Sequence, residues 1–344
     1  MARPSARRPA LARTTVAAVV LVALLAAPAT RASAALAPFY PTQSGGDRGT
    51  DVAAIQMLFR AAQGGTSRAN TRGVVTGARN PIVLDVSGVF DPATTVAVQA
   101  FQSSRGLVPT GVVDRPTWDA LVVPLGPGSV GAAVMALQRE LHDKRTSTAG
   151  IDGVYGSVTA ADVSAFQVRM GLPQTGLVDA ATWRTLVWHY ESPRFSASAL
   201  CDYDVVSHNW GTAETVAAIA AAGSVMVKAG YGQIAVGDLS LELGGDTPLH
   251  VAHEVGLDAD LRPMRKANDQ CSHGSNWRLA AYDRSATRAL IRAIQAATPG
   301  HVKFILFNDP QLIAEGLTRY QVDHDDHLHV HFCEANHPDR DYRC

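Results

Sequence analysis

Residues 323–332 read DHDDHLHVHF, and residues 250–260 read HVAHEVGLDAD. Side chains alternate between the two faces of a strand, so His327 and His329 share a face if the first segment is extended. His253 and Asp260 offer a further imidazole and a carboxylate from the second segment. Two histidines and one carboxylate make a catalytic zinc set, which leaves a fourth position for water and lowers the pKa of that water to about 7. The two segments therefore predict a zinc hydrolase.

The first 34 residues have the pattern of a secretory signal peptide. A basic start is followed by an apolar run over residues 14–27 and by Ala-Ser-Ala at 32–34, which resembles a cleavage site. The apolar run is short for a bilayer span. We expect cleavage, export to the cell wall or medium, and no stable membrane insertion; a retained anchor is the alternative.

Charge and cysteine content agree with an exported protein. Five of the 30 basic residues and none of the 31 acidic ones lie in residues 1–34, so the remainder carries 25 basic against 31 acidic residues. Such a balance lacks a basic footprint, and nucleic acid is not an expected partner. Export favours disulfides, and four cysteines allow three pairings. We favour Cys333–Cys344 with Cys201–Cys271, because the first pair closes a short loop.

Two copies of one motif precede the histidine-rich segments. Residues 88–122 and 153–187 share Gly-Val-aromatic, Ala-Phe-Gln, Thr-Gly and Thr-Trp elements at a constant offset of 65. Residues 49–56 and 131–138 also match, at an offset of 82, so the first copy holds 17 additional residues. The Gly, Thr, Arg and Asn content around residues 64–81 predicts a surface loop there.

Each copy is expected to form three helices. Apolar residues at helical spacing mark the first helix, Gly106 and Gly171 end the second, and the third begins near Asp114 or Asp179. The large aromatic residues are expected in the core rather than at a ligand: Phe101, Trp118, Phe166 and Trp183.

The remaining chain is predicted to be a linker, residues 189–199, and an α+β domain, residues 200–344. Residues 214–222 and 285–297 are rich in alanine and favour helix. Short β-like runs occupy residues 225–228, 302–307 and 327–332. With 344 residues, a multidomain chain is expected.

The repeats resemble the peptidoglycan-binding domain type 1 family. The resemblance covers residues 45–123 and 127–188, and the second copy, with Asp-Gly-Val-Tyr-Gly at 152–156, is the closer match. It implies two all-α three-helix bundles that bind bacterial peptidoglycan. The alternative is that the bundles act only as spacers.

The last domain resembles the penicillin-insensitive murein endopeptidases, within the wider group of lysostaphin-type, D-Ala-D-Ala and hedgehog-like zinc proteins. The paired motifs carry the resemblance, together with Gly244-Gly245, His250 and residues 307–310. It implies that His253, Asp260 and His329 bind Zn²⁺.

The resemblance also assigns catalytic roles. His327 is implied to face the metal without binding it, stabilising the oxyanion or passing a proton to the leaving amine. Asp326 and His324 remain equal candidates for the general base. Asp258 is the alternative ligand to Asp260. His331 stands where the family has arginine and is expected at the surface or on the substrate side.

Residues outside the motifs have simpler expectations. Asp323 and Asp325 are expected to form a turn or to orient an imidazole. Four further histidines are expected at the surface: His208, His273, His301 and His337.

These features together predict a secreted, monomeric zinc endopeptidase that cuts the peptide cross-links of peptidoglycan. The alternatives are a D,D- or L,D-carboxypeptidase that trims stem peptides, and a wall-binding protein without catalysis.

Overall fold

The computed structural model describes residues 38–63, 72–75, 82–144, 147, 150–193, 195, 199–204, 206–245 and 252–344. The predicted signal peptide and His250 lie outside the described residues. None of the described helices is long and apolar enough to cross a membrane.

Each repeat forms three helices in the predicted order. The first contains α1 (Thr50–Ala62), α2 (Pro92–Ser104) and α3 (Arg115–Leu121), and the second contains α4 (Ala132–Asp143), α5 (Ser157–Arg169) and α6 (Ala180–Trp188). Asp91, Asp114 and Asp179 cap α2, α3 and α6, since each side chain accepts from the backbone N–H three residues later. The predicted starts at Asp114 and Asp179 are confirmed.

Four helix glutamines fasten the turns of the repeats. In each case Oε1 accepts from a glycine N–H at 2.8–3.0 Å, while Nε2 donates to a carbonyl and to a threonine hydroxyl. The turns need glycine because the backbone is left-handed there, as at Gly88 (φ 67°) and Gly153 (φ 74°). Each repeat is therefore built from two similar helix–turn units. The glutamines are Gln56, Gln102, Gln138 and Gln167.

The additional segment of the first repeat contains a hairpin. Strands β1 (Arg72–Val75) and β2 (Ile82–Asp85) pair antiparallel. Leu84 is buried, and Arg60 donates to its carbonyl at 2.7 Å. The predicted surface loop is thus wrong for β1, where two β-branched valines favour a strand, while β2 follows the predicted loop in the chain. The rest of residues 64–81 lies outside the described residues.

The two repeats share one hydrophobic core, in which α1 packs against α4. Trp118 and Trp183 are fully buried, and each indole donates to a backbone carbonyl, of Pro41 at 2.9 Å and of Val123 at 2.7 Å. Phe101 and Phe166 are buried as well. All four predicted core aromatics are confirmed, and none is available as an exposed ligand platform.

The last domain contains a five-stranded mixed sheet with strand order β3-β4-β5-β7-β6. Only the β3–β4 pair is parallel in this sheet. Helices α7 and α8 pack against each other and share a core with the strands. The predicted fold class, helical repeats followed by an α+β domain, is confirmed. The elements are β3 (Leu200–Asp202), α7 (Ala213–Lys228), β4 (Ile234–Val236), β5 (Asp258–Leu261), α8 (Arg284–Ala297), β6 (Val302–Leu306), α9 (Pro310–Ala314) and β7 (Leu328–Phe332).

One predicted strand of this domain is helical. Residues 225–228 form the last turn of α7, which starts at the Thr212 cap and continues through an alanine-rich stretch. Val225 and Val227 have a high β propensity, but they continue a helix that has already formed and is packed on the sheet, so they remain helical. Disulfides join Cys201 to Cys271 and Cys333 to Cys344, so the favoured pairing is confirmed.

The described part of the predicted linker is packed rather than exposed. Tyr190 is 4% exposed, and Glu191 pairs with Gly211 through two backbone hydrogen bonds of 2.8 and 2.9 Å. Asn336 donates to Thr42 at 3.2 Å. The repeats therefore pack directly on the last domain.

Candidate metal centre and active site

The pairing of β5 with β7 brings the two sequence motifs together. In this antiparallel ladder Asp260 lies opposite His329, and Asp258 lies opposite His331. Residues two apart on a strand share a face, so all four side chains point to the same side of the sheet. β5 is buried along its whole length although two of its residues are aspartates. Buried carboxylates in a strand need partners, and the histidines opposite supply them.

His253 is held by both its backbone and its ring. Its φ of 72° is left-handed, which is uncommon for a residue other than glycine. Its N–H donates to Asp258 Oδ2 at 3.2 Å, and Nδ1 lies 2.8 Å from the carbonyl of Leu239. A carbonyl only accepts, so Nδ1 carries the hydrogen and Nε2 faces Asp260 Oδ2, 3.4 Å away.

The ring of His329 is held between two carboxylates. Its Nε2 lies 3.1 Å from Asp258 Oδ1, and its Nδ1 lies 3.0 Å from Asp260 Oδ1. With Nε2–H donated to Asp258, Nδ1 points toward Asp260 and His253. One ligand atom from each of the three predicted metal residues lies within 4.8 Å of the others, and all three residues are buried.

The electrostatics of this set depend on close pairing. Burial alone would raise the pKa of Asp260, but hydrogen bonds from His253 and His329 outweigh burial and hold that pKa far below its usual value. Burial lowers the pKa of His329, yet hydrogen bonds to Asp258 and Asp260 raise it to about 9. Burial also lowers the pKa of His253, but the hydrogen bond to Asp260 and the charge of Asp260 outweigh burial and raise it. The paired histidines therefore hold protons that a bound cation would displace.

Asp258 serves both motif histidines and a third one. Oδ1 accepts from His329 and also from His331 Nδ1 at 2.6 Å. His331 Nε2 lies 2.9 Å from the carbonyl of Asp341, and the ring stacks on Phe304 at 4.5 Å. His331 is buried, so the expectation of a surface or substrate-side residue is wrong. Its place at i+2 from His329 indicated a shared strand face, but not the contact with Asp258.

The three predicted catalytic residues lie at the outer edge of this set. His327 precedes β7, its Nδ1 bonds Asp326 Oδ1 at 2.9 Å, and its Nε2 is 4.0 Å from Asp260 Oδ1. His324 lies beside it, with 4.7 Å between ring centroids and 5.7 Å to the ring of His329. Burial lowers the pKa of His324. Asp326 has a 70% exposed side chain and contacts His327 rather than the buried set.

An open cleft of about 480 Å³ leads to these residues. Asp260 and His327 line this cleft together with Asp204, Asp238 and Arg262. Arg262 stacks over Tyr203 at 4.1 Å and donates to the carbonyl of Gln270 at 3.0 Å. The cleft therefore offers charged and polar side chains next to the buried set, in a volume within the range of ligand sites.

Two other expectations need revision. Asp325 accepts from Trp277 and Asn308 at 3.0 Å each and pairs with Arg278, so it holds the loop before β7, in agreement with the turn alternative, and does not orient an imidazole. The hydrogen bond from Arg278 and that from Trp277 lower its pKa to about 2. His337 is 2% exposed and lies edge-on to Tyr342, so it is not a surface residue.

Family models match three segments of the chain. The peptidoglycan binding domain matches residues 48–121 and 130–186, and the penicillin-insensitive murein endopeptidase family matches residues 204–305. The chain carries a murein endopeptidase segment behind two peptidoglycan-binding segments. The resemblance drawn from the motifs is confirmed. The endopeptidase match contains His253 and Asp260 and ends before residues 323–332.

Comparison with solved structures gives a short local match. A structure titled "The crystal structure of SleB N-terminal domain" is 35% identical over 19% of this chain and 90% of that chain, with a TM-score of 0.19. Among curated proteins, no significant match to the chain was found. The family matches therefore carry the functional argument: they support a cell-wall endopeptidase with peptidoglycan as partner.

Proposed function

We propose that the protein is a secreted, monomeric, zinc-dependent endopeptidase that hydrolyses the peptide cross-links of peptidoglycan. The observation that carries the proposal is the convergence of His253, Asp260 and His329 beside an open cleft that Asp260 and His327 help to line. The endopeptidase match to residues 204–305 gives the reaction class. The two disulfides, Cys201–Cys271 and Cys333–Cys344, suit an extracellular site of action.

The residues present fit zinc by their chemistry. Two imidazoles and one carboxylate are a donor set that zinc takes in hydrolytic sites, where a fourth position stays open. The carbonyl of Leu239 and the carboxylate of Asp258 each accept an N–H from one histidine ring and so aim the other nitrogen inward. Bound zinc would act as a Lewis acid on the scissile carbonyl and on the attacking water.

We assign His327 the role of general acid, which donates a proton to the leaving amine. Asp326 accepts from its Nδ1, which fixes the ring and directs Nε2 toward the cleft. A proton on Nε2 can then be donated to the carbonyl oxygen or to the leaving nitrogen. In this arrangement Asp326 is a positioning residue.

His324 is the better candidate for the general base. Its Nδ1 lies 2.8 Å from the carbonyl of Val322 and therefore carries the hydrogen, which leaves a lone pair on Nε2. The lowered pKa keeps the ring neutral near pH 7. Asp326 already has its Oδ1 occupied by His327.

The repeats would hold the enzyme on its polymeric substrate. Once the repeats are bound to a peptidoglycan strand, the peptidase domain meets the same polymer in an effectively intramolecular step. Local substrate concentration then rises without any new contact in the cleft.

The proposal is tested by mass spectrometry of muropeptides after the purified protein has acted on cross-linked peptidoglycan, with and without a zinc chelator. Loss of dimers with a matching gain of monomers, blocked by the chelator, is the expected result. Shortened stems with intact dimers would identify a carboxypeptidase instead. Unchanged muropeptides with zinc bound would identify a wall-binding protein.

Two variants separate metal binding from proton transfer. His329→Ala should lose zinc and activity together, whereas His327→Ala should keep zinc and lose turnover. Full activity in His327→Ala would contradict the role given to this ring. His273→Ala, at an exposed histidine, is the matched control and should retain both.

A further inference from the structure

A second cluster of metal-binding side chains lies where the first repeat meets the last domain. Asp47 precedes α1, Glu214 is in the first turn of α7, and His301 precedes β6. One ligand atom of each lies within 4.8 Å of the other two. His301 was expected at the surface, but its side chain is only 19% exposed.

Asp47 directs a buried carboxylate oxygen into this cluster. The residue is 1% exposed, and its Oδ2 accepts from the N–H of Ser44 at 2.6 Å. Among the described residues, no donor makes a hydrogen bond to Oδ1. That oxygen faces His301 Nε2 at 3.4 Å. A buried carboxylate oxygen without a hydrogen bond is costly unless a cation compensates it.

The ring of His301 is oriented to present a lone pair to that oxygen. Its Nδ1 lies 3.1 Å from the carbonyl of Cys333, which can only accept, so Nδ1 carries the hydrogen. A ring that carries only this hydrogen directs the lone pair of Nε2 at Asp47 Oδ1. A divalent cation placed between these two atoms would be bound by both of them.

Glu214 adds a second carboxylate from another element. Its Oε1 accepts from the hydroxyl of Thr298 at 2.5 Å and lies 3.4 Å from His301 Nδ1. Burial and then the charge of Asp47 raise the pKa of Glu214 to about 7. His301, the hydrogen bond from Thr298 and Arg48 act in the opposite direction, in that order.

We propose that Asp47, Glu214 and His301 bind a divalent cation of the zinc class, which ties the first repeat to the last domain. Ligand atoms about 2.1 Å from a tetrahedral zinc ion are about 3.4 Å apart, which is the separation of Asp47 Oδ1 from His301 Nε2. An imidazole combined with carboxylates favours zinc over magnesium or calcium. The site is separate from the His253 set and does not depend on the proposed catalysis.

The test is the zinc content of the full chain after equilibration with zinc and removal of the excess, measured by inductively coupled plasma mass spectrometry. Two ions per chain are expected for the unaltered protein. His301→Gln and Asp47→Asn should each bind one, His329→Ala should also bind one, and His301→Gln with His329→Ala should bind none. His273→Gln is the control for histidine removal and should bind two.

The outcomes distinguish this site from the catalytic one. We call the site of Asp47, Glu214 and His301 the junction site. A single ion that is retained in His301→Gln and lost in His329→Ala would overturn the proposal of this site. A single ion with the reverse behaviour would support the junction site and contradict the zinc dependence of the proposed function. Asp47→Asn keeps the shape of the side chain, so it tests the same ligand set if His301→Gln fails to fold. A zinc-induced rise in the melting temperature of His329→Ala should disappear when His301→Gln is added.

Discussion

Asp258→Asn is expected to weaken zinc binding without removing a ligand. The carboxylate of Asp258 accepts hydrogen bonds at both oxygens, at Oδ1 from His329 and His331 and at Oδ2 from the N–H of His253. Asparagine offers one accepting oxygen and one donating amide. If the oxygen stays with the two rings, the amide faces the N–H of His253. If the amide is flipped, it faces the two rings.

Either orientation places a donor against a donor and loosens one ligand. Removal of such a supporting partner lowers metal affinity about 10- to 100-fold, which corresponds to about 1.4–2.7 kcal/mol. We place Asp258→Asn toward the upper end of this interval, because Asp258 supports His253 through the backbone and His329 through the ring.

The assay is competition for zinc against a chromophoric chelator, with Asp269→Asn as the control at an exposed aspartate paired with Arg265. A zinc affinity within twofold of the unaltered protein would refute the reasoning. Binding lost as completely as in Asp260→Asn would instead make Asp258 a ligand. Fluorescence of the folded protein checks that the comparison concerns metal affinity and not the fold.

Three further predictions concern the repeats and their junction. Lys144→Met removes a fully buried cation that lies 3.4 Å from Asp51 and should lower the free energy of unfolding by about 3–5 kcal/mol in urea denaturation, with part recovered when Asp51→Asn is added. Burial raises the pKa of Glu191 to about 8, so its contribution to stability is complete below about pH 4.5 and is lost as the pH rises through 8. Glu191→Gln should flatten the fall of the melting temperature between pH 5 and pH 9, and an unchanged slope would contradict this. Gln102→Leu leaves the N–H of Gly111 without its 2.9 Å partner and should cost on the order of 3 kcal/mol in the same denaturation assay; a loss below about 1 kcal/mol would contradict the fastening role.

The sequence predicted best what depends on local pattern. Helical spacing and the aspartate caps located the repeat helices, and motif spacing selected the residues that the sheet brings together. The last turn of α7 was mistaken for a strand because valines at residues 225 and 227 favour β structure locally. The decisive influence was the packing of the whole helix, which a short window does not contain.

Contacts between distant segments were beyond sequence reasoning. The role of His331 depends on its register opposite Asp258 across β5 and β7. The cluster of Asp47, Glu214 and His301 joins residues from three separate elements, none of which carries a motif. No periodicity links such positions, because their proximity follows from how the repeats pack on the sheet domain.

The direct packing of the repeats on the last domain bears on which bonds the enzyme can reach. A long flexible tether would let an anchored peptidase search a volume that grows with linker length. Here Glu191 pairs with Gly211, and Asn336 donates to Thr42, so the repeats are packed on the domain that holds the cleft and are not joined to it by a long flexible tether. In the proposed function, an enzyme molecule whose repeats are bound to the wall would cut only the cross-links that lie at a fixed distance from those repeats. The spacing of cuts in the wall would then follow the spacing of anchoring positions along the glycan strands.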